Sequence, residues 1–166
     1  MGDERSAWDT ALNALSRRSY SLAEIARKLR EKSFDPAEID EVRKRLVRLK
    51  LVDERGVAYN HAARRAEEGR RGRVRVRQEM LARGLDPALV DEALDEAFPA
   101  ESERERFRGA VEKLMRGAPP PREPAKRQRL LRRLVRDGFP QGMIRELSED
   151  WESQVATFED EDDGLT

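Results

Sequence analysis

Apolar residues recur along this chain at the spacing of one helical face. Trp8, Ala11, Leu12 and Leu15 stand at i, i+3, i+4 and i+7, and the same template returns at Tyr59, Ala62, Ala63, Ala66 and at Phe107, Ala110, Val111, Leu114. That spacing predicts short amphipathic helices, each with one apolar stripe. After each of them the pattern predicts a further pair of helices joined by a tight turn.

The three pairs align with one another. Leu29, Ser33, Phe34, Ile39 and Val42 correspond to Met80, Gly84, Leu85, Val90 and Ala93, and then to Leu134, Gly138, Phe139, Ile144 and Leu147. Gly84 and Gly138 suit a left-handed helix stop, with Ser33 in the equivalent place of the first pair. Pro36, Pro87 and Pro140 suit the start of the following helix, and Asp35 and Asp86 can cap it. Ser21 with Glu24 has the form of a capping box. A period near 50 residues predicts a tandem array of small helical units. The expected fold class is therefore all-α: tandem three-helix, helix-turn-helix-like repeats in an elongated, curved array. The units are placed at 6–55, 57–98 and 101–150, with a proline-rich linker at 117–124 inside the third.

Two segments depart from the template. Arg73-Val74-Arg75-Val76-Arg77 alternates as a half-exposed strand would, but no second alternating run exists to pair with it, so helix is expected there. Residues 151–166 end in the acidic run Glu159 to Asp163 and are expected to form a solvated tail, weakly ordered from Glu152. Trp151 is expected in a packed turn.

Composition limits the core. Charged residues make up 41% of the chain, against a usual share of about 25%. Leu, Ile, Val and Phe supply roughly 21% of residues, just above the ~20% below which a highly charged chain reads as disordered. The 34 basic and 34 acidic residues cancel. A thin core spread along the array is the expected outcome. The chain has no cysteine and a single histidine, His61. Thiol chemistry, disulfides and histidine-based zinc sites are thereby excluded. No glycine-rich phosphate loop or Ser-His-Asp set is present, so neither an enzyme nor a cofactor or metal site is expected. His61 is read as a boundary packing residue, and the neighbouring carboxylates Asp53, Glu54 and Asp91, Glu92 as surface groups, with Asp53 starting a helix. No apolar stretch reaches membrane-spanning length, and the chain is expected to be a soluble, cytosolic monomer.

Charge is segregated. Residues 64–83 carry a local +5, residues 122–136 a local +6, and residues 145–166 a local −8. Of the basic residues, 28 are Arg, whose planar fork suits phosphate and carboxylate. Arg129, Arg132, Arg133 and Arg136 fall on one helical face, opposite Leu130, Leu131 and Leu134. Arg70, Arg71, Arg73, Arg75 and Arg77 form a second cluster one unit earlier. These nine arginines are the candidate partner-facing surface, for an acidic protein or a polyanion.

The stretch Leu51-Val-Asp-Glu-Arg, Val57-Ala58, Gly72, and Gln78-Glu79-Met80-Leu81-Ala82-Arg83-Gly84-Leu85 resembles the RecX family of recombinase regulators. Arg17, Ser21 and Leu29 to Phe34 are similar to that family's opening run, and Asp137-Gly138-Phe139 to its closing turn. The likeness covers about residues 7–150. Val57 and Ser33 stand where the family has Phe and Gly, and the prolines at 119–121 are a further departure. The resemblance implies tandem three-helix repeats that bind RecA nucleoprotein filaments and damp their ATP hydrolysis and strand exchange, with weak sequence-independent DNA binding. The alternative is a winged-helix transcription regulator, with Ser21 to Ala26 and the helix from Pro36 to Leu49 as a DNA-reading pair. It would require a strand hairpin near residues 51–59.

Overall fold

A computed structural model describes the backbone of residues 6–163 and the side chains of residues 6–156. The helices run α1 (Ala7–Leu15), α2 (Leu22–Glu31), α3 (Pro36–Arg48), α4 (Glu54–Glu68), α5 (Arg73–Ala82), α6 (Pro87–Ala97), α7 (Glu103–Met115), α8 (Pro124–Arg136) and α9 (Gln141–Asp163), with a 3-10 turn at Ala100–Ser102. Among the described residues there is no strand. The hairpin that a winged helix needs is absent there, and the alternating segment Arg73–Arg77 opens α5.

Local chemistry explains where the helices begin. The Ser6 hydroxyl accepts from the Asp9 amide at 3.1 Å. Ser21 and Glu24 form the capping box in both directions, at 3.1 and 3.0 Å, and Asp35 with Glu38 forms another on α3. Asp86 accepts from the Ala88 and Leu89 amides, and Asp53 from that of Gly56 at 2.8 Å. Each cap satisfies a donor that the first helical turn leaves without a partner. Pro36 and Pro87 take the first helical positions. Pro140 sits one residue ahead of α9, its carbonyl accepting from the Ile144 amide at 3.2 Å.

The stops repeat even more closely. Ser33, Gly84 and Gly138 all have left-handed backbone, with φ of 64°, 76° and 84°. The next amide in each case donates back to the same register position: Phe34 to Leu29, Leu85 to Met80 and Phe139 to Leu134. Ser33 thus makes the same turn as the two glycines, with a Cβ in a region that L-residues seldom occupy.

Each unit has its own core. Ile25, Leu29 and Leu46 are fully buried in the first, and Val76, Met80, Val90 and Leu94 in the second. In the third, Leu134 and Ile144 surround an edge-to-face pair, Phe107 and Phe139, with ring centroids 5.5 Å apart. The stripe of α1 is rotated from the predicted one. Ala7, Ala11 and Ala14 face the core, Leu12 is 36% exposed, and Trp8 is half-buried beneath the Arg45 guanidinium. Small residues on that face let α1 settle close to α2 and α3.

The C-terminal segment differs from expectation. α9 runs through Asp163, and Trp151 and Val155 are buried, so the start of the expected tail is packed as far as Val155. They continue the apolar face begun by Ile144 and Leu147, which a scan dominated by acidic residues hides. The side chains of the acidic run 159–163 lie outside the described residues. The accessible surface is 11256 Å², about a third above the ~8,400 Å² expected of a compact monomer of this mass.

Candidate functional site

The two arginine clusters differ sharply in their surroundings. In the middle unit most of the candidates are held by acids of this chain. Arg77 grips Asp91 through two hydrogen bonds of 2.7 and 3.0 Å. Arg73 donates to Asp95 at 2.6 Å. Arg71 donates to Asp137 of the third unit at 2.8 Å, and Arg75 faces Glu79 at 3.4 Å. Only Arg70 of this cluster is exposed without a hydrogen bond or ion pair among the described residues. Apart from Glu79 on α5 itself, the acids that neutralise the cluster come from α6 and from the next unit, beyond the reach of a local charge count.

The α8 cluster is open. Arg129, Arg132, Arg133 and Arg136 are all exposed on the face opposite buried Leu134. Arg129 and Arg136 touch no acid among the described residues, Arg132 donates only to the Gln128 side chain at 2.5 Å, and Arg133 lies 3.6 Å from Asp137. Val135 on the same helix is also exposed. A guanidinium row with so few internal partners keeps most of its donors free for carboxylates or phosphates from outside.

Behind these faces a buried charge network joins the units, and sequence reasoning did not reveal it. Arg83 forks onto Glu24, with contacts of 3.2 and 2.9 Å, tying the second unit to the first. Its other nitrogen lies 3.4 Å from Nδ1 of His61. Nε2 of His61 faces Glu79 at 3.4 Å, and Arg65 reaches the same carboxylate at 2.9 Å. Arg71 then continues from Glu79 to Asp137 in the third unit. His61 Nε2, Arg65 Nε, Arg75 Nε and Glu79 Oε2 lack aligned hydrogen bonds, so charge proximity holds this knot.

His61 is buried at 7% exposure, deeper than the boundary position expected of it. Burial disfavours its charged form, and Arg83 and Arg65 repel it further. These outweigh the pull of Glu79 and hold its pKa below the ordinary histidine value. Burial pushes the Glu24 carboxyl up, but hydrogen bonds from Arg83 and the Ser21 amide, with the charges of Arg83 and Arg18, bring it below the ordinary value.

Backbone contacts complete both junctions. The Ser21 hydroxyl donates to the Arg83 carbonyl and Leu22 N–H to Glu54. Gly72 N–H donates to the Asp137 carbonyl at 2.7 Å, and Gly72 lies so near Gly138 that a Cβ would overlap the Gly138 carbonyl. Among the described residues no group of three or more His, Cys, Asp or Glu side chains could hold a metal ion, and no helix is long and apolar enough to cross a membrane.

Comparison with known proteins agrees with this architecture. Residues 7–46 match the profile of the first RecX three-helix domain, and residues 53–94 that of the second. The regulatory protein RecX of Chlorobaculum tepidum is 34% identical over 145 residues, covering 87% of this chain and 88% of its own. That of Halorhodospira halophila is 34% identical over 160 residues, covering 93% and 89%. Among solved structures, a regulatory protein RecX superposes with a TM-score of 0.72 at 23% identity, over 87% of this chain and 71% of that one. RecX from Lactobacillus salivarius gives 0.67 at 18% identity, over 88% and 94%. At those identities the superpositions speak for the fold.

Proposed function

Because the chain belongs to the RecX family of regulatory proteins, we propose that it modulates the RecA recombinase, binding the RecA nucleoprotein filament and damping ATP hydrolysis and strand exchange. The observation that carries this reading is the open guanidinium row of α8 on an elongated, three-unit array. An array of this kind can lie along a filament and touch more than one protomer. Its free Arg groups pair with acidic protein surfaces, and a protomer held on both sides cannot make the movements that its hydrolytic cycle requires. The middle-unit arginines serve a different end: Arg73, Arg75 and Arg77 pair within the second unit, and Arg71 ties that unit to the third through Asp137, which holds the α8 row in relation to it. Binding in solution is as a monomer, with DNA affinity weak and indifferent to sequence.

Sedimentation of RecA filaments assembled on single-stranded DNA tests the binding step. The parent chain co-sediments with filaments in proportion to RecA. A variant carrying Arg129→Glu, Arg132→Glu and Arg136→Glu stays in the supernatant while keeping its helical spectrum. Equal co-sedimentation of the two would move the contact to another face, and preference for one duplex sequence over filaments would favour a transcription regulator instead.

A further inference from the structure

A cleft of about 510 Å³ opens between the second and third units, and of the α8 row only Arg133 reaches it. Its rim is built from Arg70 in the α4–α5 loop, Lys113 and Arg116 at the end of α7, and Arg133 on α8, over a floor that includes Leu114 and Phe139. Four cations from three places in the sequence therefore meet in one concavity, of a size ordinary for small-ligand sites. Their compensation inside the molecule is small. Asp137 is the acid of the lining, shared between Arg71 at 2.8 Å and Arg133 at 3.6 Å. Lys113 donates to the Glu68 carbonyl at 3.2 Å. Arg70 and Arg116 are exposed, and their side chains make no hydrogen bond or ion pair among the described residues. The C-termini of α4, α7 and α8 end near the cleft and contribute about half a negative charge each. Roughly two to three positive charges remain unbalanced.

We propose that this cleft is a phosphoanion site, taking two or more adjacent phosphate groups between Arg70, Arg116 and Arg133, with Lys113 as a further point charge. Guanidinium forks match phosphate oxygens in pairs, which distinguishes the site from a diffuse positive field. The apolar floor leaves room for the organic part of the ligand beside its phosphates. The phosphates are either the oligophosphate of a nucleotide or the backbone of single-stranded DNA. The site shares Arg133 with the α8 row, but Arg129, Arg132 and Arg136 do not line it, so the two can be tested separately.

Calorimetric titration of the full chain with inorganic tripolyphosphate, ATP and a dT20 oligonucleotide, at physiological salt, tests it. One equivalent of tripolyphosphate is expected to bind. The double variant Arg70→Gln, Arg116→Gly is expected to bind at least tenfold more weakly. Arg116 has φ of 54°, so glycine there relieves the backbone, and a thermal melt confirms that the fold survives. The double variant Arg129→Gln, Arg136→Gln removes the same charge outside the cleft and is expected to stay within twofold of the parent. Tripolyphosphate competing with ATP identifies a nucleotide as the source, and tripolyphosphate competing with dT20 identifies the backbone. Either result supports the site. No saturable tripolyphosphate binding, or equal losses in the two double variants, would overturn it.

Discussion

At Glu79 one carboxylate, itself mostly buried, faces Arg65, Arg71, Arg75 and His61. Removing the charge takes the ion-pair partner from Arg75, while Arg65 keeps Glu68 and Arg71 keeps Asp137, and losing a partly buried charged partner in this way costs about 1–3 kcal/mol. Glu79→Gln should lower stability by about that amount in urea unfolding, whereas an exposed surface substitution changes it by about 0.5 kcal/mol or less. His61 supplies a pH signature for the same knot. Its folded pKa lies below the ordinary value, so near pH 6.5 the unfolded chain takes up a proton that the folded chain refuses. Stability therefore falls as pH drops below about 6.5, levelling once the folded His61 also protonates. Glu24 acts in a separate window. Its stabilisation is complete above 4.5 and is lost as pH falls through its lower folded value. Urea midpoints at pH 7.5 and 5.5 should differ in the parent and converge in His61→Gln. An unchanged slope in that variant would place the titration elsewhere. Little of this was legible in the sequence. Glu24 was visible as half of a capping box because that interaction spans three residues, but its pairing with Arg83 spans 59 and that of Arg71 with Asp137 spans 66.

Helices and turns were the most legible level, because their causes are local. The caps at Ser21, Asp35, Asp53 and Asp86 and the left-handed stops at Ser33, Gly84 and Gly138 follow from residue types within a few positions. Rotation of the α1 stripe was not legible, since choosing Ala7 and Ala14 over Leu12 depends on how closely α2 and α3 approach. Nor was the order of α9, whose buried Trp151 and Val155 are masked by acidic neighbours. Truncation after Asp150 removes both side chains, and loss of a buried Trp costs about 3–5 kcal/mol. Truncation after Ala156 keeps both and should unfold close to the full chain. Equal melting temperatures for the two truncations would contradict the packing of α9. At the junction of the second and third units, Gly72→Ala must push against the Gly138 carbonyl and should destabilise the chain. Gly109→Ala lies within α7 with nothing within 4 Å of its added methyl and should stabilise it by up to about 1 kcal/mol. Thermal melts of the pair read the two signs directly.

Across the whole molecule, charge is divided between two tasks. The array has thin separate cores, and ion pairs such as Arg83 with Glu24 and Arg71 with Asp137 bridge them. The open row on α8 is left for a partner. The sequence marked both clusters as equivalent surfaces, and only the tertiary arrangement separates the neutralised one from the free one. The most direct test of the account is DNA-dependent ATP hydrolysis by the cognate RecA, titrated with the parent chain and with the Arg129→Glu, Arg132→Glu, Arg136→Glu variant. Arg133 is kept because it also lines the phosphoanion cleft. The account predicts that the parent suppresses hydrolysis and that the folded variant needs at least tenfold more protein to do so. Suppression by the folded variant at the parent's concentration would contradict it.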